Sequence, residues 1–303
     1  MFHRLSLVAV IFCGYLLCAC ARAETVAVFL PERSSSAIEF TRLFTLALER
    51  KSAAFKVIVV NTLAESAEAQ LVIVLGARAL QQQLTQPKSP LIVASLLPKA
   101  SFDPAWRLRA SAVFLDHPPE RQLRFLRLLL PEAKRVGLLI SEAQRKDLQN
   151  LQTSAETQGL RLSIETVTGQ DPRALNESLN DGLQRLVTKT EVLLAWPDNS
   201  IFNPLSIQNI LLSTYRQRVP LLGFSAAYTK AGALASLYSS VESLAEQTAE
   251  MAQTVLLQNV LPSPQYPKKF EVSFNRQVGR SLGVYLPTEA ELIEKIKAQE
   301  TRP

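Results

Sequence analysis

Two short apolar runs, each followed at once by polar and aromatic residues, constrain the fold of this chain most strongly. Residues 192–196 (V-L-L-A-W) precede Pro-Asp-Asn-Ser, and residues 219–224 (V-P-L-L-G-F) precede Ser225 and Tyr228. Short and almost wholly apolar runs are typical of strands buried in a parallel sheet. In open α/β sheets, ligands bind at the carboxyl ends of the strands. The two runs therefore predict buried strands that deliver polar and aromatic groups to a binding edge.

Apolar runs and amphipathic stretches alternate along the rest of the 303-residue chain. A chain of this length has room for one large or two medium domains, and the alternation indicates parallel sheets with helices on both faces. The pattern restarts at Pro118, where Pro-Pro-Glu is typical of a helix start. We predict an α/β fold of two doubly wound, Rossmann-like lobes joined by a hinge. The expected bounds are 24–116 plus roughly 230–262 for lobe 1, 117–229 plus roughly 263–290 for lobe 2, and 291–303 for a charged tail.

The first 23 residues are typical of a signal peptide. Arg4 precedes an apolar stretch at 5–17, and Ala-Arg-Ala at 21–23 fits a small-x-small cleavage site. All three cysteines (13, 18 and 20) lie in this leader, so the mature chain is expected to have no disulfide and no thiolate metal site. Leu-Cys-Ala-Cys at 17–20 also resembles a lipobox, in which Cys20 would carry a lipid. Both readings predict a periplasmic protein, either free or lipid-anchored.

The composition argues against several classes of function. The formal net charge is +6 and falls to +4 when Arg4 and Arg22 leave with the leader, and the basic residues are spread along the chain. We therefore expect no nucleic-acid partner. His117 is the only histidine beyond the leader, which is too little for a histidine-based catalytic site or a zinc site. We predict no enzymatic activity, no metal and no cofactor, and we assign His117 to a hinge or a cap.

The candidate ligand-binding residues follow predicted strands, and each has an ordinary structural alternative. Serine hydroxyls and free amides at a helix start bind carboxylates, but Ser36 and Glu39 also fit a capping box. Arg78 would clamp a carboxylate or lie exposed in a simple turn. Asp198 would hold an ammonium or cap a helix. The set comprises Ser34, Ser35, Ser36, Gly76, Arg78, Ser95, Trp196, Asp198, Asn199, Ser225 and Tyr228.

Three blocks of sequence resemble the bacterial ABC-transporter substrate-binding proteins that include tryptophan- and tyrosine-binding members. They are V-P-L-L-G-F-S-A-A-Y-T-K-A-G-A-L-A-S at 219–236, F-E-V-S-F-N-R-Q-V-G-R-S-L-G-V-Y-L-P at 270–287, and L-P-E-A-K-R-V-G at 130–137. The resemblance implies a type I periplasmic-binding-protein-like fold. It also implies a monomeric solute-binding component of an importer, with a small solute such as an aromatic amino acid and an inner-membrane permease as its partners.

The first lobe departs from that family pattern at the loop A-S-L-L-P (94–98), and the second lobe departs from it at Ser-Glu-Ala (141–143). These departures leave a second hypothesis open. On the same scaffold, a protein without a solute would dock to an envelope partner such as a receptor or a sensor.

Overall fold

The computed structural model describes residues 24–198 and 200–300, which form two lobes built around one sheet each. The predicted leader with Cys20, and the candidate Asn199, lie outside the described residues. Within the described part of the chain, no helix has the length and apolar character needed to cross a bilayer.

Lobe 1 contains a five-stranded parallel sheet in the order β2-β1-β3-β4-β5. Its elements are β1 (Glu24–Phe29), α1 (Ser35–Glu49), β2 (Phe55–Val60), α2 (Leu63–Ser66), β3 (Leu71–Leu75), α3 (Ala77–Leu84), β4 (Leu91–Leu97) and β5 (Ala110–Phe114). Separate apolar clusters cover the two faces of this sheet. Coverage on both faces explains why β3 reads as an unbroken apolar run, L-V-I-V-L.

Lobe 2 contains a six-stranded sheet in the order β11-β10-β9-β8-β6-β7, which is parallel except for β11. Its elements before the chain returns to lobe 1 are α4 (Pro119–Leu129), β6 (Arg135–Ser141), α5 (Leu148–Thr157), β7 (Arg161–Val167), α6 (Pro172–Val187), β8 (Val192–Leu194), α7 (Ile207–Arg216), β9 (Leu221–Gly223), α8 (Ala226–Ala231) and β10 (Ala235–Tyr238). The remaining elements are α9 (Val241–Gln258), β11 (Glu271–Phe274), α10 (Arg276–Leu282) and α11 (Glu289–Glu300). Apolar clusters again cover both faces.

The chain passes between the lobes three times: after β5, between β10 and α9, and between α9 and β11. Helix α9 packs against α1 and β4 in lobe 1. Gln265 still belongs to lobe 1, since its backbone bonds to Ala112 and Phe114. The third crossover therefore begins just after Gln265.

The division between the lobes differs from the sequence expectation at residues 230–240. That expectation assigned these residues to lobe 1, but β10 lies in the sheet of lobe 2, where it pairs with β9 and β11. Only the α9 part of the expected segment joins lobe 1. A strand's own sequence reports that it is buried but not which sheet accepts it, because backbone pairing is the same in either sheet.

The expected charged tail is largely an ordered helix. Residues Glu289–Glu300 form α11, which packs against α4 of lobe 2. Leu292 and Ile296 are buried there. They stand four residues apart, and this spacing places them on one face of a helix that is otherwise charged.

Candidate functional site

Two spaces lie between the lobes, and we name them the inner cavity and the outer cleft. The inner cavity has a volume of about 30 Å³ and is lined by Lys99, Ala100, Asp116, Pro119, Leu138, Ile140, Gln144, Leu148, Asn150, Leu151, Trp196 and Tyr266. The outer cleft, of about 590 Å³, has a larger share of polar residues and includes Gly76, Leu96, Pro98, Ser101, Ser141, Glu142, Thr168, Gly169, Pro197, Asp198 and Ser200. Both spaces lie at the carboxyl ends of strands, as the sequence predicts for a binding edge.

Apolar and aromatic side chains form most of the inner cavity's surface. Leu138 and Ile140 point to the same side of β6 because they are two residues apart in a strand. Trp196 follows β8, is partly exposed and packs against the main core of lobe 2. Tyr266 comes from the third crossover. A mainly apolar lining with few polar groups is typical of a small-molecule site. At about 30 Å³ the cavity has room for about two water molecules, so a solute enters only if the lobes move apart.

The inner cavity also contains a buried carboxylate. Asp116 is 3% exposed, and its Oδ2 accepts a hydrogen bond of 2.5 Å from the backbone amide of Lys99. The Lys99 ammonium lies 6.0 Å from the centroid of the Tyr266 ring. A carboxylate removed from water requires hydrogen bonds or a cation. Asp116 and Lys99 therefore give the cavity a charged side next to its apolar wall.

Ala100 and Gln144 line both spaces and so separate the inner cavity from the outer cleft. They belong to two 3₁₀ turns, Lys99–Ser101 of lobe 1 and Glu142–Asp147 of lobe 2, which pack against each other. Gln144 is held in lobe 2, since its Oε1 accepts from Ser141 N at 3.2 Å and its Nε2 donates to Pro197 O at 3.1 Å. Any relative motion of the lobes changes the contact between the two 3₁₀ turns.

Backbone strain marks the lobe 1 side of the outer cleft. Leu96 has φ +55°, and the register of β4 against β5 shifts between Ala94 and Leu97. Gly76 has φ +84° and donates its N–H to Ser95 O at 2.8 Å. A residue other than glycine with positive φ costs about 1–3 kcal/mol, and such strain concentrates at functional sites.

Three of the predicted site residues line these spaces. Trp196 lines the inner cavity, whereas Gly76 and Asp198 line the outer cleft. The Asp198 carboxylate accepts hydrogen bonds from the backbone N (2.8 Å) and Oγ (2.6 Å) of Ser200. Its contacts within the protein are therefore those of a local turn.

The other lobe 1 candidates line neither space. Ser34 caps α1 by accepting from Ala37 N, so the cap lies two residues before the one expected at Ser36. Ser34, Ser35 and Ser36 follow β1, which is one strand farther from β4 and β5 than β3 is. Arg78 is exposed and pairs with Glu32 at 2.6 Å. Ser95 is fully buried in β4, and its Oγ has no hydrogen-bond partner.

Ser225 and Tyr228 also lie away from both spaces, because they follow β9 rather than β8 or β6. The Tyr228 hydroxyl donates to Phe202 O at 2.8 Å, and its ring packs against Phe202 and Phe224. Burial raises the pKa of Tyr228 to about 12. Ser225 stands at the start of α8 without a side-chain capping bond. Tyr228 thus contributes to an aromatic core cluster of lobe 2.

Sequence reasoning missed most of the inner cavity's polar and aromatic residues: Asp116, Lys99, Gln144, Asn150 and Tyr266. Asp116 was noticed only as the end of a lobe, although it follows β5 as directly as Asp198 follows β8. The same rule about strand ends would have found it. Tyr266 offers no such signal, because it lies in a proline-rich connector.

Comparison with known proteins agrees with this geometry. A family model described as ABC transporter substrate binding protein matches residues 116–290, which is more than half of the chain. A search of curated protein sequences finds no match.

Three solved structures show the same fold at low sequence identity. A domain in complex with L-Trp from Streptococcus pneumoniae is 15% identical, with TM-score 0.66, and the alignment covers 89% of this chain and 97% of that chain. The open, ligand-free form of CD0873, a substrate binding protein with adhesive properties from Clostridium difficile, is 17% identical, with TM-score 0.65 and coverages of 88% and 96%. GanP, a glucose-galactose binding protein from Geobacillus stearothermophilus, is 11% identical, with TM-score 0.55 and coverages of 84% and 99%.

These similarities confirm the predicted two-lobed, type I periplasmic-binding-protein-like fold. The neighbours bind solutes as different as an amino acid and a sugar, so the fold alone does not fix the ligand. By its sequence match over the hinge, the second lobe and α9, this chain belongs to the ABC transporter substrate-binding protein family.

Proposed function

We propose that this protein is the periplasmic solute-binding component of an ABC importer and that it closes its lobes on an amino acid with an apolar or aromatic side chain. Family membership supports the importer role, in which a permease of the inner membrane is the partner. One observation carries the solute class. The inner cavity combines the rings of Trp196 and Tyr266 with the buried carboxylate of Asp116.

The polar end of such a solute is matched by the polar groups of the cavity. Asp116 is set to accept hydrogen bonds from the α-ammonium group, because a buried carboxylate gains most from a cation beside it. Lys99 brings an ammonium to the same region, on the side of Tyr266, and so supplies the opposite charge for the solute carboxylate. An amino acid carries both charges on one carbon and therefore matches both groups.

The side chain of the solute is matched by the lobe 2 face of the cavity. Leu138, Ile140 and Trp196 offer apolar surface there. Transfer of apolar surface from water is worth about 25 cal/mol per Å², and an aromatic pair adds about 0.5–1.5 kcal/mol. Binding of this kind needs no chemical step, so we propose transport without catalysis.

The test is a thermal-unfolding screen of the mature protein against the twenty amino acids, with glucose and galactose as solutes of another class. At a free concentration of 100 Kd, binding stabilises the folded state by about 2.7 kcal/mol. We expect amino acids with apolar or aromatic side chains to raise the midpoint and the two sugars to leave it unchanged. A midpoint that moves only with sugars would overturn the solute class, and a midpoint unmoved by every compound at millimolar concentration would overturn solute binding.

A second function is favoured by one observation. Of the first-lobe residues predicted to bind a solute, only Gly76 lines a space between the lobes. A protein of this kind would dock to an envelope partner without a solute. Capture of one membrane protein from solubilised envelopes, equally with and without amino acids, is the result expected from that function. The importer component instead requires a solute-dependent interaction.

A further inference from the structure

A cluster of side chains behind the inner cavity joins all three crossovers to the C-terminal helix. Its centre is Arg121 in the first turn of α4, whose side chain is only 11% exposed. The guanidinium forms a two-pronged ion pair with Glu300 of α11, from Nε to Oε1 at 2.5 Å and from Nη2 to Oε2 at 3.3 Å. It also lies 4.8 Å from the centroid of the Phe270 ring. The ion pair therefore fixes the plane of the guanidinium group and with it the direction in which Arg121 Nη1 donates.

That remaining donor reaches two of the crossovers. Arg121 Nη1 donates to the carbonyl of Pro267 at 2.8 Å and lies 3.1 Å from Nδ1 of His117. Pro267 belongs to the third crossover, and His117 belongs to the first. Both residues are buried. One guanidinium group thus holds two separate chain segments where they pass between the lobes.

His117 extends the cluster to the remaining crossover. Its Nε2 lies 3.4 Å from Oγ of Ser239, and that hydroxyl donates to the carbonyl of Lys269 at 2.6 Å. Because Ser239 Oγ gives its proton to Lys269, the histidine must donate from Nε2 and accept at Nδ1. This tautomer is the one that the Arg121 N–H requires. Burial, together with the charge of Arg121, lowers the pKa of His117 to about 3, so the ring stays neutral.

The two segments held by Arg121 carry residues of the inner cavity. Asp116 directly precedes His117, and Tyr266 directly precedes Pro267. Both line the cavity. A shift of either segment by a fraction of an ångström moves a side chain that faces the solute, and binding is sensitive to displacements of that size.

We propose that Glu300, by orienting Arg121, positions Asp116 and Tyr266 for solute binding, so that the C-terminal helix is coupled to the ligand site. Glu300 is a positioning residue in this proposal, since it lines neither the cavity nor the cleft. The link to solute rests on the proposed function, whereas the link to the crossovers does not.

The test variant is Glu300→Gln, which removes the charge at nearly constant volume. The same helix provides a matched control at its other end, where Glu289 pairs with Arg276 at 3.0 Å in lobe 2. Glu289→Gln removes an ion pair of α11 that touches no crossover. Glu300→Asp serves as a conservative variant that keeps the charge. Urea unfolding of all three variants shows how much each change destabilises the fold.

Two readouts need no solute. Hydrogen exchange reports on the backbone amides of residues 115–117 and of residues 265, 266, 268 and 269. Acrylamide quenching in a Trp106→Phe background reports on Trp196, since the chain has two tryptophans. For Glu300→Gln we expect faster exchange in both segments and stronger quenching, with Glu289→Gln like the parent protein and Glu300→Asp in between. Unchanged exchange and quenching in Glu300→Gln would overturn the positioning role.

The third readout is affinity for the tightest-binding amino acid of the screen, measured by calorimetry. We expect Glu300→Gln to weaken binding by about tenfold, as for a residue coupled to a site it does not touch. Altered exchange with unaltered affinity would overturn the coupling to the site while leaving the proposed function intact. If no amino acid binds the parent protein, the proposed function fails, and the exchange and quenching results still decide whether Glu300 orders the crossovers and the cavity.

Discussion

The inner cavity and the outer cleft lie side by side between the same two lobes, yet different kinds of residue line them. The cavity has mainly apolar walls and one buried carboxylate, Asp116. The cleft is far larger, at about 590 Å³ against about 30 Å³, and one of its two carboxylates, Asp198, accepts hydrogen bonds from Ser200. Electrostatic and apolar contacts both strengthen where water is excluded. On the proposed function, recognition therefore belongs to the cavity, and the cleft provides access to it.

The first and largest expected effect is on solute affinity, and it distinguishes the role of Asp116 in the cavity from that of Asp198 in the cleft. Asp116→Asn keeps an acceptor for the Lys99 amide but removes the charge, so we expect affinity for an amino acid to fall about 100-fold, as for the loss of one partner of a buried ion pair. Asp198→Asn, the matched control in the cleft, should change affinity by less than about threefold. Calorimetry measures both variants. A larger loss in Asp198→Asn than in Asp116→Asn would place the ammonium site in the cleft instead.

The next effect distinguishes Trp196, which we expect to contribute to binding, from Trp106, which we expect to contribute only to stability. Trp196→Ala removes the largest aromatic surface of the cavity, and we expect it to cost about 2 kcal/mol of binding free energy, or about 30-fold in Kd. Trp106 packs against Phe102 in lobe 1, with ring centroids 5.8 Å apart, and lines neither space. Trp106→Ala should therefore lower the unfolding midpoint without weakening binding. Equal affinities of Trp196→Ala and the parent protein would show that the solute does not contact that ring.

The smallest effect concerns the cluster behind the cavity and depends on pH. The pKa of His117 is lowered from 6.5 to about 3 by burial, so below pH 6.5 the unfolded chain binds a proton that the folded chain does not. Folding stability is then full above pH 6.5 and falls as the pH drops from 6.5 towards 3. Between pH 7.5 and 5.5 we expect the parent protein to lose about 1.4 kcal/mol relative to His117→Gln.

Urea unfolding at a series of pH values measures this difference. The outer cleft provides the contrast, because Glu142 there is exposed to solvent. Glu142→Gln should therefore run parallel to the parent protein over the same range. Parallel curves for His117→Gln and the parent protein would mean that the buried ring takes up a proton without cost, contrary to the contacts seen here.

Particular elements show how far sequence reasoning reaches. The run at 192–196 predicted a buried strand that ends at a binding edge, and β8 ends next to Trp196 in the cavity. The same reasoning applied to 219–224 found β9, but the residues after β9 line neither space, because β9 lies one strand beyond β8 in the sheet. Three consecutive serines at 34–36 offered several capping positions, and the end of β1 together with the start of α1 selected Ser34. Strand order and segment ends decided these cases.

The sequence by itself determined the strands, the helices and the division into two α/β lobes, because burial imposes a local spacing of apolar residues that is visible in the sequence. Only the tertiary structure decided which sheet accepts β10 and which residues meet in the inner cavity. Asp116, Gln144 and Tyr266 become neighbours through strand order and chain crossings. The physical reason is that a local pattern records whether a side chain leaves water, but not which distant side chain it meets there.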